Sequence, residues 1–167
     1  MRSVLAAAAL LVLSVPALAG EAEWLRYPAI SPDGARIAFS YRGDLWIVAS
    51  AGGEAKPLTT HVDYERSPVW SPDGSKIAFC SDRFGNFDVF VMSSAGGAAE
   101  RVTFHSSNDV PYGFTPDGSE VVFGSTRVDA PAAAVSSTWL GELYAAPVTG
   151  GRARMLLTTP AERAQFS

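Results

Sequence analysis

The chain has 167 residues, 47% of them hydrophobic and 18% charged, with 15 Gly and 11 Pro. That composition predicts a turn-rich globular domain, poor in long helices, with enough chain for a sizeable core. A net charge of −4, with no run of Lys or Arg, leaves no electrostatic footprint for a polyanion, so no nucleic-acid partner is expected.

The first segment reads as a leader. Met1-Arg2 supplies a positive start, Val4 to Val15 is apolar, and Pro16 precedes the small-x-small ending Ala17-Leu18-Ala19. This pattern predicts a signal peptide over 1–19, cleaved before Gly20. The apolar run falls short of the roughly 20 residues that a membrane-spanning helix needs. No Cys follows the cleavage site to carry a lipid. The mature chain is therefore expected to be exported, periplasmic or secreted, with no membrane association after cleavage. Its single cysteine, Cys80, excludes an internal disulfide. Lying in Ile77-Ala78-Phe79-Cys80 with no activating base beside it, that cysteine reads as a small buried strand residue.

From Ser31 onward one pattern recurs. Ser31-Pro32-Asp33-Gly34 opens the first unit, Ser71-Pro72-Asp73-Gly74 the second and Thr115-Pro116-Asp117-Gly118 the third. A short apolar run follows each: Ile37-Ala38-Phe39, Ile77-Ala78-Phe79 and Val121-Val122-Phe123. Next come Arg42, Arg83 and Arg127, then an acid-aliphatic-aromatic start at Asp44-Leu45-Trp46, Asp88-Val89-Phe90 and Glu142-Leu143-Tyr144. The Gly pairs 52–53, 96–97 and 150–151 follow, and Leu58-Thr59, Val102-Thr103 and Leu157-Thr158 close the units.

Each feature has a β-sheet explanation. Pro presets φ, Asp bonds back to nearby backbone and Gly accepts positive φ, so Asp33-Gly34, Asp73-Gly74 and Asp117-Gly118 are turn formers between strands. The apolar runs are β-branched or aromatic and bounded by turn residues, as strands are. Large residues alternate with small ones instead of with polar ones, which suits a sheet sandwiched between two like sheets. The Gly pairs make a further hairpin turn. Each unit then holds about four strands in roughly 40 to 55 residues, the blade of a β-propeller. An immunoglobulin-like sandwich would not repeat one turn sequence at this period.

The expected fold is all-β: a partial propeller over 20–167, with blades near 24–60, 61–104 and 105–159 and a truncated next repeat over 160–167. Between Arg127 and Glu142 the third unit carries an inserted loop, 128–141, rich in Ala and Ser and holding Trp139. Phe166-Ser167 matches the aromatic-hydroxyl pairs Trp70-Ser71 and Phe114-Thr115 that open the turns. Propellers close with about four to eight blades, so three blades predict part of a longer polypeptide, with open apolar faces and poor solubility on its own.

No catalytic chemistry is legible. There is no Gly-x-Ser-x-Gly elbow. The Gly pairs lack the Lys and helix of a phosphate loop. His61 and His105 occupy matching positions without metal-ligand spacing, and the third copy has Pro160 there. No catalytic, cofactor-binding or metal-binding residue is therefore assigned, and no cofactor is expected. Arg42, Arg83 and Arg127 read as hydrogen-bonding fasteners of the blades, because a scaffold repeats its fasteners whereas a ligand site needs asymmetric groups. Trp46, Phe90 and Tyr144 share one register and are expected to pack between blades.

Ile77 to Thr103, running through Cys80-Ser81-Asp82-Arg83-Phe84-Gly85-Asn86 to the Gly pair, resembles the WD-like repeat of TolB and tricorn-type proteases. Tyr27-Pro28-Ala29-Ile30-Ser31-Pro32-Asp33-Gly34, with Leu58-Thr59-Thr60-His61, looks most like the N-terminal propeller of bacterial tricorn-like serine peptidases. The resemblance covers Trp24 to Ser167. TolB-like proteins place an α/β domain ahead of the propeller, and prolyl-oligopeptidase relatives a helical segment; here the first repeat begins shortly after the expected cleavage site. The resemblance implies an accessory propeller that filters or guides peptides toward a serine-peptidase domain outside this chain. The alternative is a non-catalytic, TolB-like envelope interaction propeller. Expected partners are peptides, proteins or downstream domains of the same polypeptide, with oligomerisation through the full-length protein.

Overall fold

In the computed structural model, the structure describes residues 25–127 and 141–161. The expected signal peptide, nearly all of the 128–141 insertion and the Phe166-Ser167 repeat start lie outside the described residues. Twelve strands form three four-stranded antiparallel sheets. The first sheet is β1 (Arg26–Ile30), β2 (Arg36–Tyr41), β3 (Asp44–Ala49) and β4 (Lys56–Pro57). The second is β5 (Glu65–Trp70), β6 (Lys76–Ser81), β7 (Asp88–Ser93) and β8 (Glu100–Arg101). The third is β9 (Asp109–Phe114), β10 (Glu120–Ser125), β11 (Gly141–Pro147) and β12 (Arg154–Ala161). Each sheet is ordered as its strands follow in the chain, and the described residues contain no helix. These are the blades of a partial propeller.

The register explains the alternation of large and small residues. Phe39 pairs with Trp46, Phe79 with Phe90 and Phe123 with Tyr144, which puts two rings on one face of each sheet. Ala38 opposite Ile47, Ala78 opposite Val91 and Val122 opposite Ala145 make the other face aliphatic and shallow. Side chains on neighbouring positions of a strand point to opposite faces, so each sheet offers a ridge behind and a shallow bed in front. Sheets one and two meet where Ala38 and Leu45 receive Ile77, Phe79, Phe90 and Met92. Sheets two and three meet where Ala78, Val89, Val91 and Val102 receive Phe114, Val121, Phe123, Tyr144 and Ala146. Within the ridges, Phe79 stacks on Phe90 and Phe123 on Tyr144, both at 5.8 Å between ring centroids.

The front of the third sheet differs. Tyr112 crosses it, and a Cβ on Gly124 would lie 2.4 Å from the Tyr112 Oη, so only glycine fits where Ser40 and Cys80 stand in the other sheets. Val122, Leu143 and Ala145 are buried there with Tyr112 and Leu156 against them.

The inner strands β1, β5 and β9 lie side by side, so the sheets converge on them. Each is interrupted by a bulge and carries a proline, Pro28, Pro68 or Pro111. A proline and a bulge suit an edge strand, because they remove the donors and the flatness that would recruit another strand. In β1 and β5 the residue before the proline turns left-handed: Tyr27 at φ 53° and Ser67 at φ 57°. Such backbone costs about 1–3 kcal/mol per residue and persists only where its surroundings impose it.

Candidate functional site

The sheets present two rims. One holds the turns joining the first and second, and the third and fourth, strands of each sheet. Asp33, Asp73 and Asp117 all sit there in one geometry. The Ser31 hydroxyl donates to Asp33 Oδ1 at 2.5 Å, the Ala35 N–H donates to the same oxygen at 3.0 Å, and Gly34 closes the turn onto the Ser31 carbonyl at 2.8 Å. Ser71–Asp73 and Thr115–Asp117 repeat this at 2.6 Å each. Gly34, Gly74 and Gly118 take φ near 70° (71°, 68° and 69°), the region in which glycine alone is unstrained. Hydroxyl and backbone donors hold all three carboxyls below the ordinary aspartate range, Asp117 at about 2. The hydrogen bonds given for the three turn carboxylates come from their own loops, whereas the Gly74 carbonyl accepts from Arg36 of the first sheet and from Ser94.

The opposite rim gathers the remaining strand connections and the crossovers from sheet to sheet, and several of its polar groups are bonded to neighbouring backbone. Asp44 Oδ1 accepts the His61 N–H at 2.9 Å, and Asp82 Oδ1 accepts the Tyr64 N–H at 2.8 Å. Asn86 Nδ2 donates to the carbonyls of His105 and Ser107, and Asn108 Oδ1 accepts the Phe87 N–H. His61 and His105 each accept, through Nδ1, the N–H two residues on, at 3.3 and 3.1 Å. Apolar side chains are left facing outward: Val62 is 98% exposed, Phe104 65% and Phe84 58%. The Arg101 guanidinium lies 4.3 Å from the Phe84 ring and 4.7 Å from Phe104, bridging the two. Toward the inner strands, Arg66 stacks on Phe87 at 4.1 Å, with Tyr64 edge-on to Phe87.

Beneath this rim lie buried ion pairs. Arg83 binds Glu65, Arg101 binds Asp88 at 2.6 Å, and Arg127 binds Asp109 at 2.5 Å; all three acids are fully buried. The N–H groups of Glu65 and Asp109 donate back to Gly43 and Phe87 of the preceding sheet, both at 2.7 Å, so each acid starts an inner strand and staples a junction. Of the three repeated arginines, two are blade fasteners. Arg42 is not, among the described residues: it lies exposed in the two-residue turn between β2 and β3 at φ 54°, over the Tyr41 ring at 5.3 Å. The reason is local. The register that places Glu65 opposite Ser81 places Leu25 in the corresponding spot of the first sheet, so among the described residues no acid takes that place beside Arg42.

Sequence reasoning missed Glu65 and Asp109 because they precede inner strands whose bulges break the repeat spacing. A signal was available, since both acids stand 18 residues before their arginines. Cys80 is fully buried, and burial pushes its thiol up to about 12, where it is no nucleophile. Phe90 and Tyr144 are buried between sheets as expected of that register, whereas Trp46 on the rear of the first sheet is half-buried. Among the described residues, no three His, Cys, Asp or Glu side chains converge as a metal would need, and no helix is long and apolar enough to cross a membrane.

Solved structures with the same fold include a protein described as TolB from Agrobacterium tumefaciens. It is 24% identical, with a TM-score of 0.65 over 80% of this chain and 48% of its own. TolB from Acinetobacter baumannii is 21% identical, with a TM-score of 0.59 over 79% of this chain and 32% of its own. The tricorn protease is 24% identical, with a TM-score of 0.57 over 72% of this chain and 12% of its own. The chain thus spans about half or less of the proteins it resembles. No curated protein matches it by sequence. The family model of the tricorn protease N-terminal beta propeller domain matches residues 22–167, nearly the whole chain, and the chain therefore belongs to that family.

Proposed function

We propose that this segment is the accessory propeller of an exported, tricorn-like serine peptidase, which receives peptides on its crossover rim and directs them to a catalytic domain outside these residues. The observation that carries the reading is the rim itself: its acids, amides and histidines are spent on holding loops, while Phe84, Phe104 and Val62 face outward. Exposed aromatic rings around an arginine already neutralised by Asp88 suit the apolar side chains of an extended peptide better than a charged ligand. The family match supports the peptidase context, and the leader-like sequence pattern over 1–19 supports export. Family membership alone assigns no reaction to these residues, because fold does not carry chemistry.

The test uses the full-length polypeptide. It should hydrolyse peptides, this segment alone should not, and Phe84→Ala with Phe104→Ala should raise KM for apolar peptides while leaving kcat unchanged. The mature N-terminus, read by mass, should begin at Gly20. A full-length protein that is inert toward peptides but binds an envelope protein through the same rim would replace this reading with the second one, a non-catalytic interaction propeller, which the likeness to two TolB structures favours.

A further inference from the structure

One cluster on the crossover rim is present in the second sheet and missing from the first. Phe84 stands in the loop between β6 and β7, Arg101 ends β8, and Phe104 follows in the crossover to the third sheet. In the first sheet Pro57 takes the register position of Arg101, since Trp46 faces Pro57 where Phe90 faces Arg101. The N–H groups of Leu58 and Val102 bond the Leu45 and Val89 carbonyls alike, so Thr60 stands where Phe104 stands in the second sheet. The short turn Arg42-Gly43 has no counterpart of Phe84. A scaffold repeats its fasteners, whereas a ligand site needs groups that are not repeated.

The members of this cluster are planar and already stacked. The Phe84 ring lies 6.2 Å from the buried Phe90 ring at an interplanar angle of 9°, and the Arg101 guanidinium contacts both Phe84 and Phe104. Arg101 is held in place: Nε donates to the Thr103 carbonyl at 2.8 Å and Nη2 to the buried Asp88 carboxylate at 2.6 Å. Its charge is met by Asp88, while both phenylalanines are more than half exposed.

We propose that the Phe84–Arg101–Phe104 stack is a specificity subsite that selects an aromatic side chain of an extended peptide over a saturated one of similar size. The inference rests on the reading of this rim as a peptide-receiving surface and narrows what that surface receives. Aromatic and aliphatic side chains both gain from leaving water. Only an aromatic ring adds a quadrupole, which offers its face to a guanidinium or its edge to the face of a phenyl ring. Because Asp88, Thr103 and Phe90 fix Arg101 and Phe84 beforehand, little ordering of these two groups is left to oppose binding. Phe104, the more exposed of the two rings, is the residue on which the discrimination depends most.

The test is isothermal titration of the full-length polypeptide, with any nucleophilic serine blocked by a covalent inhibitor. The probes are end-blocked alanine peptides carrying one central phenylalanine, cyclohexylalanine or alanine. The phenylalanine peptide should bind about three- to tenfold more tightly than the cyclohexylalanine peptide, although the latter is at least as large and more apolar. The alanine peptide should bind most weakly. Phe104→Leu keeps an apolar side chain at a mostly exposed position; it should abolish the preference for phenylalanine and leave cyclohexylalanine binding nearly unchanged. Arg101→Lys retains a cation for Asp88 without the planar face and should reduce the preference. Equal binding of the phenylalanine and cyclohexylalanine peptides, both weakened by Phe84→Ala with Phe104→Ala, would overturn the aromatic subsite and leave the peptide-receiving rim standing. A preference that survives Phe104→Leu would come from elsewhere in the polypeptide and would overturn the subsite as well. Peptides indifferent to every one of these substitutions would remove the rim reading, and this inference with it.

Discussion

Between the first and second sheets, a small bed of Ala38 and Leu45 receives the Phe79–Phe90 ridge, and polar locks surround it. Arg36 donates to the Gly74 carbonyl at 3.2 Å and lies 4.7 Å from the Trp70 ring, whose Nε1 donates to the Ala29 carbonyl at 3.0 Å. Between the second and third sheets the bed is broader, with Ala78, Val89, Val91 and Val102, and Phe114 stands where Trp70 stands in the second sheet. There the apolar cluster is larger, and Arg101 and Arg127 hold Asp88 and Asp109 below it. One geometry is therefore held in two ways, by directional bonds where the apolar bed is small and by packing where it is large. Hydrophobic burial scales with area and tolerates small shifts, whereas a hydrogen bond of about 1 kcal/mol net acts only at one alignment.

The largest expected effect tests whether packing dominates the second junction. Phe123→Ala removes a fully buried ring from the middle of that cluster and should cost about 3–5 kcal/mol in denaturant unfolding. Phe79→Ala should fall at the low end of the same range, because fewer groups surround it. Next come the arginines. Arg127→Met leaves Asp109 as an uncompensated buried charge and should cost about 3–5 kcal/mol near neutral pH. Arg83→Met should cost less, and its cost should shrink on acidification, because Glu65 can take a proton instead. Equal costs at all pH values would erase the distinction between the junctions.

Trp70→Phe sharpens the comparison by giving the first junction the residue used at the second. Losing the indole N–H bond and part of the Arg36 stacking should cost about 1–2 kcal/mol in the same measurement. The smallest effect belongs to the turn carboxylates. Asp117 has a folded value of about 2 against the ordinary 3.8, so its contribution is present above that ordinary value and is lost as pH falls toward about 2. Asp117→Asn should lower the melting temperature less than Trp70→Phe does and should flatten this acid limb of a melting-temperature profile.

Much of the fold was legible because its signals are local. Ser-Pro-Asp-Gly makes its own turn through bonds within a few residues, and the alternation Ile77-Ala78-Phe79-Cys80 states which side chains share a face. The rim was far less legible. That, among the described residues, Arg83 and Arg127 meet acids and Arg42 does not depends on Leu25 occupying the spot held by Glu65 and Asp109, a correspondence that the inner-strand bulges hide from spacing alone.

By itself the amino-acid order determined the repeat, the strand pairing within each unit and the two unlike faces of every sheet, since these follow from turn chemistry and the two-residue period of a strand. Only the tertiary structure decided which sheet lends its bed to which ridge, which carboxylates are sealed from water, and why Gly124 must stay glycine beneath Tyr112. Those outcomes depend on groups far apart in the chain meeting at a junction, where burial and unshielded charge act through space and leave no mark on local spacing.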